Sequence, residues 1–251
     1  MLFPTGYDMT RLLTATLLAL IAGIGAAQDV ATDGARELVL GLTRRGDAQT
    51  VAAVGIAKSR DPAAAVALQA LLDRALHTYV DATGATVAVI TGEPADDGSM
   101  QIHDAVGGAP LTDASGAVIV VTKGDVKAVS AGRKLRKLGR DLLRLNSGKA
   151  QDRRSAALSL GRQQREDLLP LLLAAREVES DRWARRAIEE GIAITHLADS
   201  DATIRVAAIE TLSSLHSGYA LNAFGKTLEA DAEKDPDAAD AMRRAVVSIE
   251  R

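Results

Sequence analysis

The side chains best suited to bind a metal ion or to move a proton, the histidines, are scattered along this sequence. No two of them form a His-x-x-x-His pair, and none stands beside a carboxylate at the spacing of a known metal site. The absence of cysteine excludes disulfides, thiolate catalysis and every cysteine-containing metal site. We therefore expect all four histidines to be ordinary surface or helix-packing residues: His77, His103, His196 and His216.

A second candidate for chemistry is the segment that holds Ser99, His103 and Asp104, the three side-chain types of a hydrolase triad. The Gly-x-Ser-x-Gly turn that exposes a nucleophilic serine does not surround Ser99, so we expect a polar loop here. The sequence predicts no catalytic, cofactor-binding or metal-binding residue. We interpret the chain as a protein without enzymatic activity.

Motifs for phosphate, dinucleotide and calcium binding are incomplete. Gly148-Lys149 has the ending of a phosphate-binding loop, but Leu143 replaces its first glycine and Ala150 replaces the hydroxyl residue that would bind magnesium. Gly107-Gly108 is too short for a dinucleotide fingerprint and indicates a turn. An acidic run lacks the glycine and the terminal glutamate of a calcium loop, so it predicts a solvated linker between helices. Its members are Glu229, Asp231, Glu233, Asp235, Asp237 and Asp240. We identify no small-molecule site and expect no cofactor.

One basic helix is a candidate interaction surface. Its cations are interspersed with Leu135, Leu138 and Leu142, a spacing that predicts an amphipathic helix. The simplest interpretation of the charged side is a solvated face, and the alternative is contact with a membrane surface or an acidic partner. A net charge of −3 argues against a nucleic-acid partner. The cations of this helix are Arg133, Lys134, Arg136, Lys137, Arg140 and Arg144.

Trp183, the only tryptophan of the chain, is a further candidate contact residue. We expect it to be a buried anchor in a helical hairpin, because its large ring removes much apolar surface from water. The alternative is an exposed hot spot that binds a protein partner.

Three kinds of segment must position these residues. From Ala35 to Leu76 apolar residues recur at helical spacing, and Gly46-Asp47 and Asp61-Pro62 divide the segment into three short helices. Between about residues 78 and 129, β-branched runs bounded by glycines predict a small β-hairpin or irregular insert. Helical periodicity returns at Arg133 and continues to the C-terminus. We therefore predict a mainly α protein with a small β insert.

An internal repeat organises the helical part. Arg154–Leu158 and Arg205–Ile209 align with an offset of 51 residues, each after an acidic turn and before a second apolar helix. A fainter copy, Thr50–Val54, lies roughly twice that distance upstream. The aspartates favour helix starts, and the Ala-Ala-apolar triplets let neighbouring helices approach closely. The pattern predicts a HEAT-like α-solenoid of helical hairpins.

The N-terminal segment has the pattern of a secretory signal. Arg11 precedes an uncharged run over residues 12–27, and Gly25 and Ala27 are small residues three and one before Gln28. The run is shorter than the roughly 20 residues that span a bilayer, which favours a cleaved signal over a membrane anchor. We therefore expect export to the periplasm or to the outer face of the inner membrane, with a mature chain that starts near Gln28.

Taken in order, several of these features resemble one known family. They are the export signal, Gly108-Ala-Pro-Leu111 in the insert, the basic Arg133–Lys137 segment and the units that end in Ala241–Arg251. Together they are similar to the N-terminal extracytoplasmic region of the urea ABC transporter permease subunit, of the branched-chain amino-acid permease type. The resemblance covers nearly the whole mature chain and is clearest from Arg133 onward. Members of that family continue into a multi-span membrane domain, which this sequence lacks, so no permeation residue transfers.

The resemblance implies a non-catalytic, membrane-associated repeat module that acts as a scaffold in urea uptake. Its implied partners are the membrane subunits of the transporter or its solute-binding protein. The alternative is a free-standing periplasmic adaptor with unrelated protein partners. On this interpretation the chain divides into a signal peptide (1–27), N-terminal helical hairpins (28–77), a β-containing insert (78–130) and a HEAT-like repeat domain (131–251).

Overall fold

The computed structural model describes residues 33–220, 224 and 236–249. The predicted signal segment lies outside these residues, and so do four members of the acidic run: Glu229, Asp231, Glu233 and Asp235. Among the described residues, no helix combines the length and the hydropathy that a membrane span requires. The described chain is mainly helical and carries one five-stranded antiparallel sheet, which confirms the predicted fold class at this coarse level.

Three short helices begin the described chain, as the sequence predicts. The start of the third is set by Asp61, whose carboxylate accepts a hydrogen bond from the N–H of Ala63 at 2.9 Å, and by Pro62 in the first turn. The first two helices approach closely, since a Cβ added at Gly41 would lie 2.8 Å from the Cβ of Ala52. The bounds of these helices are Asp33–Thr43 for α1, Asp47–Ser59 for α2 and Pro62–Leu72 for α3.

The insert folds as a curled sheet that is larger than the predicted hairpin. Its strands are β1 (Leu76–Val80), β2 (Thr86–Thr91), β3 (Met100–Asp104), β4 (Val120–Val121) and β5 (Val126–Ala128). Their order is β4-β3-β2-β1-β5, and every neighbouring pair is antiparallel. Strands β4 and β5 therefore lie at opposite edges, although only residues 122–125 separate them. A flat sheet would hold these edges about 19 Å apart, more than the roughly 17 Å that the extended connection could reach, so the sheet curls.

Two turns of the sheet have nearly the same sequence and the same hydrogen bonds. Residues 81–85 read Asp-Ala-Thr-Gly-Ala, and residues 113–117 read Asp-Ala-Ser-Gly-Ala. One carboxylate oxygen of Asp81 accepts hydrogen bonds from the hydroxyl and the N–H of Thr83 and from the N–H of Ala85, at 2.6, 2.8 and 3.0 Å. The aspartate of the second turn accepts the matching three bonds at the same distances. In both turns the carboxylate takes up backbone donors that the strands leave unpaired.

Acid is expected to loosen these two turns. Hydrogen bonds, above all those from the hydroxyls of Thr83 and Ser115, hold the pKa of Asp81 and Asp113 below the ordinary 3.8. A carboxyl whose pKa is lowered by folding stabilises the fold above its unfolded pKa, and this stabilisation is lost as the pH falls through the folded value. NMR titration of the side-chain carboxyl carbons should therefore give midpoints below 3.8 for both residues. Asp113→Asn should remove the contribution of the second turn to the loss of stability in acid. Titration midpoints at or above 3.8 would contradict the hydrogen bonds described for these turns.

The helices after the sheet pack largely in chain order. Asp181 and Asp201 each cap the start of a helix, since their carboxylates accept hydrogen bonds from N–H groups of the first turn. The α-helices named here are α4 (Arg133–Leu145), α5 (Ala150–Gly161), α6 (Leu169–Val178), α7 (Arg182–His196), α8 (Ala202–Ser214) and α9 (Pro236–Ile249), and a short 3-10 helix, Glu166–Leu168, leads into α6. Helix α4 contacts α5, α5 contacts α7, α7 contacts both α6 and α8, and α8 contacts α9. Helices α2 and α3 also contact α4, which joins the N-terminal helices to this row.

The internal repeat is visible in which side chains are buried, and it corrects the predicted spacing. Corresponding buried positions on α2, α5 and α8 are separated by 104 and 52 residues, so the repeat length is 52 and the predicted offset of 51 is wrong by one. The buried residues are Ala52, Ala53 and Ile56 on α2, Ala156, Ala157 and Leu160 on α5, and Ala208, Ile209 and Leu212 on α8.

Two arginines confirm the repeat length of 52 residues. Arg153 and Arg205 each stand four residues after the N-cap of their helix, and each donates a 2.8 Å hydrogen bond to a carbonyl that precedes the helix. The acceptors are the carbonyls of Ser147 and Asp199. The predicted alignment paired Arg154 with Arg205, but Arg153 is the residue that makes the equivalent contact.

Helices α5 and α7 touch backbone to backbone. A Cβ added at Gly161 would lie 2.5 Å from the Cα of Gly191, and one added at Gly191 would lie 2.6 Å from the carbonyl oxygen of Ala157. Side-chain carbons do not approach other atoms this closely, so only glycine permits the crossing. The pair of glycines therefore sets how closely α5 and α7 pack.

Helix α7 belongs to two hydrophobic cores. Its Ile188 and Ile192 pack in a first core with helices α1 to α6 and the base of the sheet. Its Ala193 and Ile194 pack in a second core with α8, Phe224 and α9. A smaller third cluster lies within the sheet and is built on Val89, Ile102 and Val121.

Candidate interaction surface

The structure does not assemble the serine, histidine and carboxylate of a triad. Ser99 immediately precedes β3 and His103 lies four residues further on, a separation of about 13 Å in extended chain. Nδ1 of His103 lies 3.2 Å from the carbonyl oxygen of Gly108, and the carboxylate of Asp104 accepts a hydrogen bond from Arg36 at 3.0 Å. The first contact closes the turn after β3, and the second joins the sheet to α1. They do not bring the Ser99 hydroxyl within the roughly 3 Å that proton transfer to a histidine requires.

The four histidines lie in different parts of the fold. His77 is on β1, where Nδ1 lies 3.0 Å from the carbonyl oxygen of Ala75, and His103 is on β3. His196 ends α7, and His216 follows α8. Within the described ranges, no group of three or more metal-ligating side chains could hold an ion.

The predicted turns and the incomplete phosphate motif lie on connections. Gly107 and Gly108 both have positive φ, +84° and +75°, which confirms the turn predicted there. Gly148 lies in the bend before α5, and Lys149 is the N-cap residue of that helix.

Helix α4 presents a row of cations to solvent. Leu135, Leu138 and Leu142 are buried, which confirms the predicted amphipathic helix. Five basic residues are exposed on its other side, and we call them the basic face: Arg133, Lys134, Lys137, Arg140 and Arg144. None of these five forms an ion pair with another described residue. These cations outnumber the carboxylates of Asp47 and Asp73 that line the adjoining pockets, which gives this face a positive potential despite the net negative charge of the chain.

Arg136, the remaining cation of the predicted surface, points toward the start of α4 and not into solvent with the others. It is half-buried, and its Nη1 donates a 2.9 Å hydrogen bond to the carbonyl oxygen of Ala131, which precedes α4. Arg153 and Arg205 make the same kind of contact at the starts of their helices. Arg136 therefore fixes the start of α4 and does not belong to the basic face.

A groove of about 640 Å³ lies between α2 and α4 beside the basic face. Leu135 and Leu138 form its floor, and Lys134 and Lys137 stand on its rim. The opposite wall comes from Asp47, Thr50 and Val51 of α2. Gln163 and Arg165, in the connection after α5, complete the lining. An apolar floor and a mainly cationic rim are thus combined in one concave surface.

Val51 is the apolar side chain that the groove leaves in solvent. It is 67% exposed on the α2 wall. The corresponding positions of the repeat hold Ser155 on α5 and Ala207 on α8, both exposed as well. Val51 was inside the predicted copy Thr50–Val54, but only the burial pattern shows that it points outward. Single exposed apolar side chains are common on protein surfaces, and Val178 is 70% exposed, so Val51 is of interest only because it lines the same groove as the apolar floor.

Trp183 is not buried, and the expectation of a buried anchor is wrong. Half of its surface is exposed, and the guanidinium of Arg182 lies 4.7 Å from the centroid of one of its rings. The reason is its position in the first turn of α7, beside the capping Asp181, whereas the buried side of the helix begins at Ala184. Trp183 does not line the groove, so the groove and this aromatic side chain are separate candidates for contact.

The groove and the basic face are the features of the described chain best suited to bind a protein. Comparison of the chain with protein-family models, with curated proteins and with solved structures found no match. The function is therefore inferred from this geometry and from the resemblance that the sequence carries.

Proposed function

We propose that the chain is a non-catalytic interaction module whose docking site is the groove between α2 and α4 together with the basic face. The observation that carries this proposal is the exposed Val51 above an apolar floor, with Lys134 and Lys137 unpaired on the rim among the described residues. Protein docking sites typically have an apolar centre and a polar or charged rim. The groove has both parts.

We further propose that the helices stack as a HEAT-like α-solenoid. Support comes from the packing of α4, α5, α7, α8 and α9 in chain order and from a burial pattern that recurs after 52 residues. In a solenoid each unit contacts its neighbours, which gives an extended and rigid surface for partners. A docking site between two helices of such a row is held more firmly than one built on loops.

The partner that fits the groove is an acidic protein segment with one protruding apolar side chain. Carboxylates of the partner would face Lys134 and Lys137, which favours correct orientation and fast association. The apolar side chain would cover Val51 and the floor. A flat bilayer surface could meet the basic face but would leave the concave floor unfilled, so a protein fits the geometry better.

For the identity of the partner we rely on the resemblance to the extracytoplasmic region of the urea-type permease. We propose that the chain is exported and acts as a scaffold on the periplasmic side of the inner membrane. Its partner is then a component of a urea transporter, either the membrane subunits or the solute-binding protein.

Photocrosslinking at the groove tests this assignment in intact cells. Benzoylphenylalanine in place of Val51 should give a covalent adduct with a transporter component, which mass spectrometry of the adduct identifies. The same group at Val247, which is 52% exposed on α9, is the matched control and should give no such adduct. An adduct with an unrelated periplasmic protein would favour a free adaptor. Equal adducts from both positions, or none from Val51, would contradict the docking site.

Charge reversal on the rim is expected to weaken this complex strongly. Lys134→Glu combined with Lys137→Glu should lower the affinity for the crosslinked partner by about tenfold or more, mostly through slower association. The loss should shrink at high salt, because salt screens exposed charges. Surface plasmon resonance at two salt concentrations measures both effects.

The matched control carries the same change in net charge away from α4. Lys123→Glu combined with Arg154→Glu alters two exposed cations outside the groove and should leave the affinity within about twofold. An equal loss in both double variants would indicate a bulk charge effect. The protein could instead bind phosphatidylglycerol vesicles, lose this binding only in the rim variant and give no crosslinked protein. That result would show that the basic face contacts a membrane surface.

A further inference from the structure

A second cleft lies where the connection between α1 and α2 meets the sheet. Its volume is about 300 Å³. The helical side contributes Arg44, Arg45 and Gln49, and the sheet side contributes Thr78, Lys127 and Ser130. No carboxylate is among the residues that line it. The sequence analysis singled out none of these residues.

The three cations of this cleft, Arg44, Arg45 and Lys127, form no ion pair within the part of the chain that the structure describes. By contrast, the half-buried Arg165 and Arg176 each pair with a carboxylate close in sequence. Like charges gathered around one cavity repel each other, and an anion in the cavity removes that repulsion.

The two walls of the cleft are fixed to each other by Gln49. This side chain is 4% exposed, and its amide nitrogen donates to the carbonyl oxygens of Leu42 at 2.7 Å and Ser130 at 3.3 Å. Thr78 and Lys127 are direct partners on β1 and β5, so their side chains leave the same face of the sheet. The cations and hydroxyls therefore surround a space whose width is set by buried hydrogen bonds.

We propose that this cleft binds a doubly charged oxyanion of the phosphate type, either as a free ion or as the phosphoryl group of a larger molecule. An arginine side chain can donate two parallel N–H bonds to such a group, and a lysine adds a point charge. The hydroxyl of Ser130 supplies a further donor, whereas that of Thr78 donates to the carbonyl oxygen of Lys127 at 3.4 Å. A singly charged carboxylate would leave most of the positive charge of the cleft uncompensated.

Titration with inorganic phosphate tests the proposal on the unmodified protein. At constant ionic strength held with chloride, phosphate should raise the Tm in a saturable way, by about 3–5 °C at ten times its Kd. Sulfate should act in the same way, and acetate should have no effect. Arg45→Ala and Lys127→Ala should each weaken phosphate binding by about tenfold, since each removes a charge-assisted contact.

Two controls separate this site from general salt effects. Arg154→Ala removes an exposed cation outside the cleft and should keep the full phosphate response. Without phosphate, each variant should melt within about 2 °C of the original, because exposed side chains are replaced. A response that does not saturate, that acetate reproduces, or that survives both cleft substitutions would be an ionic-strength effect and would overturn the proposal.

Vesicles distinguish the two sources of a phosphoryl group. If the protein cosediments with phosphatidylglycerol vesicles and Lys127→Ala abolishes this, the cleft takes a lipid headgroup. If phosphate raises the Tm and no vesicle is bound, the ligand is soluble. Either result supports the proposal when the phosphate response depends on Arg45 and Lys127.

Discussion

Replacing Gly191 by alanine is expected to lower the Tm by roughly 6–12 °C, which corresponds to about 3 kcal/mol of unfolding free energy. The new methyl group would lie 2.6 Å from the carbonyl oxygen of Ala157. Because the obstacle is backbone, no change of rotamer relieves the clash, and α5 and α7 must move apart. Gly161→Ala should have a similar effect, since its Cβ would lie 2.5 Å from the Cα of Gly191. Thermal unfolding followed by circular dichroism measures both.

Two other helical glycines provide a graded control for this prediction. A Cβ at Gly139 of α4 would lie 3.1 Å from a methyl carbon of Leu72, which can shift, so Gly139→Ala should cost less. Nothing lies within 4 Å of a Cβ added at Gly34 of α1. Gly34→Ala should therefore stabilise the protein by up to about 1 kcal/mol through helix propensity. A Gly191→Ala protein with unchanged Tm would contradict the close crossing of α5 and α7.

Glu179→Gln is expected to lower the free energy of unfolding by about 3 kcal/mol. Arg153 donates to both carboxylate oxygens of Glu179 at 2.6 and 2.7 Å, and the Glu179 side chain is only 3% exposed. The same carboxylate accepts a 2.9 Å hydrogen bond from the N–H of Asp181. These contacts fasten the start of α5 to the connection between α6 and α7. A neutral amide would leave the largely buried guanidinium of Arg153 without its counter-charge. Urea unfolding at neutral pH measures the loss.

A double-mutant cycle and a pH series separate this ion pair from simple packing. Arg153→Met combined with Glu179→Gln should cost less than the sum of the two single changes, because the uncompensated charge is gone. Hydrogen bonds from Arg153 hold the pKa of Glu179 below its ordinary 4.5. The pair therefore stabilises the fold above that value and is lost as the pH falls through the lower folded pKa, so the Glu179→Gln deficit should vanish in acid.

Glu177 is the matched control for the buried glutamate. It lies two residues earlier, is 69% exposed and pairs with Arg176 at the surface. Glu177→Gln should change the free energy of unfolding by less than about 0.5 kcal/mol at any pH. If Glu179→Gln behaves like Glu177→Gln, the ion pair with Arg153 contributes little to stability.

The helices could be predicted from the sequence because their signals are local. Apolar spacing together with Asp61-Pro62 places α3, and the leucines of α4 give its buried side. The repeat was recognised from its alanine pairs, but adjacent alanines match almost equally well in two registers. The structure selects the register, because the buried positions and the helix starts at Lys149 and Asp201 both give a repeat length of 52. Whether the whole chain forms a solenoid stays a prediction.

The basic helix was predicted as a candidate surface, but the proposed groove and cleft could not be predicted as whole sites, because each joins segments that are distant in sequence. The groove brings Val51 beside Leu135 and Arg165, and the cleft brings Arg45 beside Lys127. These neighbours follow from helix packing and from the position of β5 at the sheet edge, for which no local pattern exists. The prediction that Trp183 is buried was wrong for a related reason, since its exposure depends on where the cap places the first turn of α7.

Because α7 is shared between two cores, we expect the molecule to contain two cooperative units that differ in their free energy of unfolding. Contacts around Ile209 and Leu212 can break while the first core stays packed. Amide hydrogens of α8 and α9 should then exchange with solvent through a partial opening, whereas those of α5 require global unfolding. The boundary between fast and slow exchange would run along α7 itself, where the residues that face the first core give way to Ala193 and Ile194.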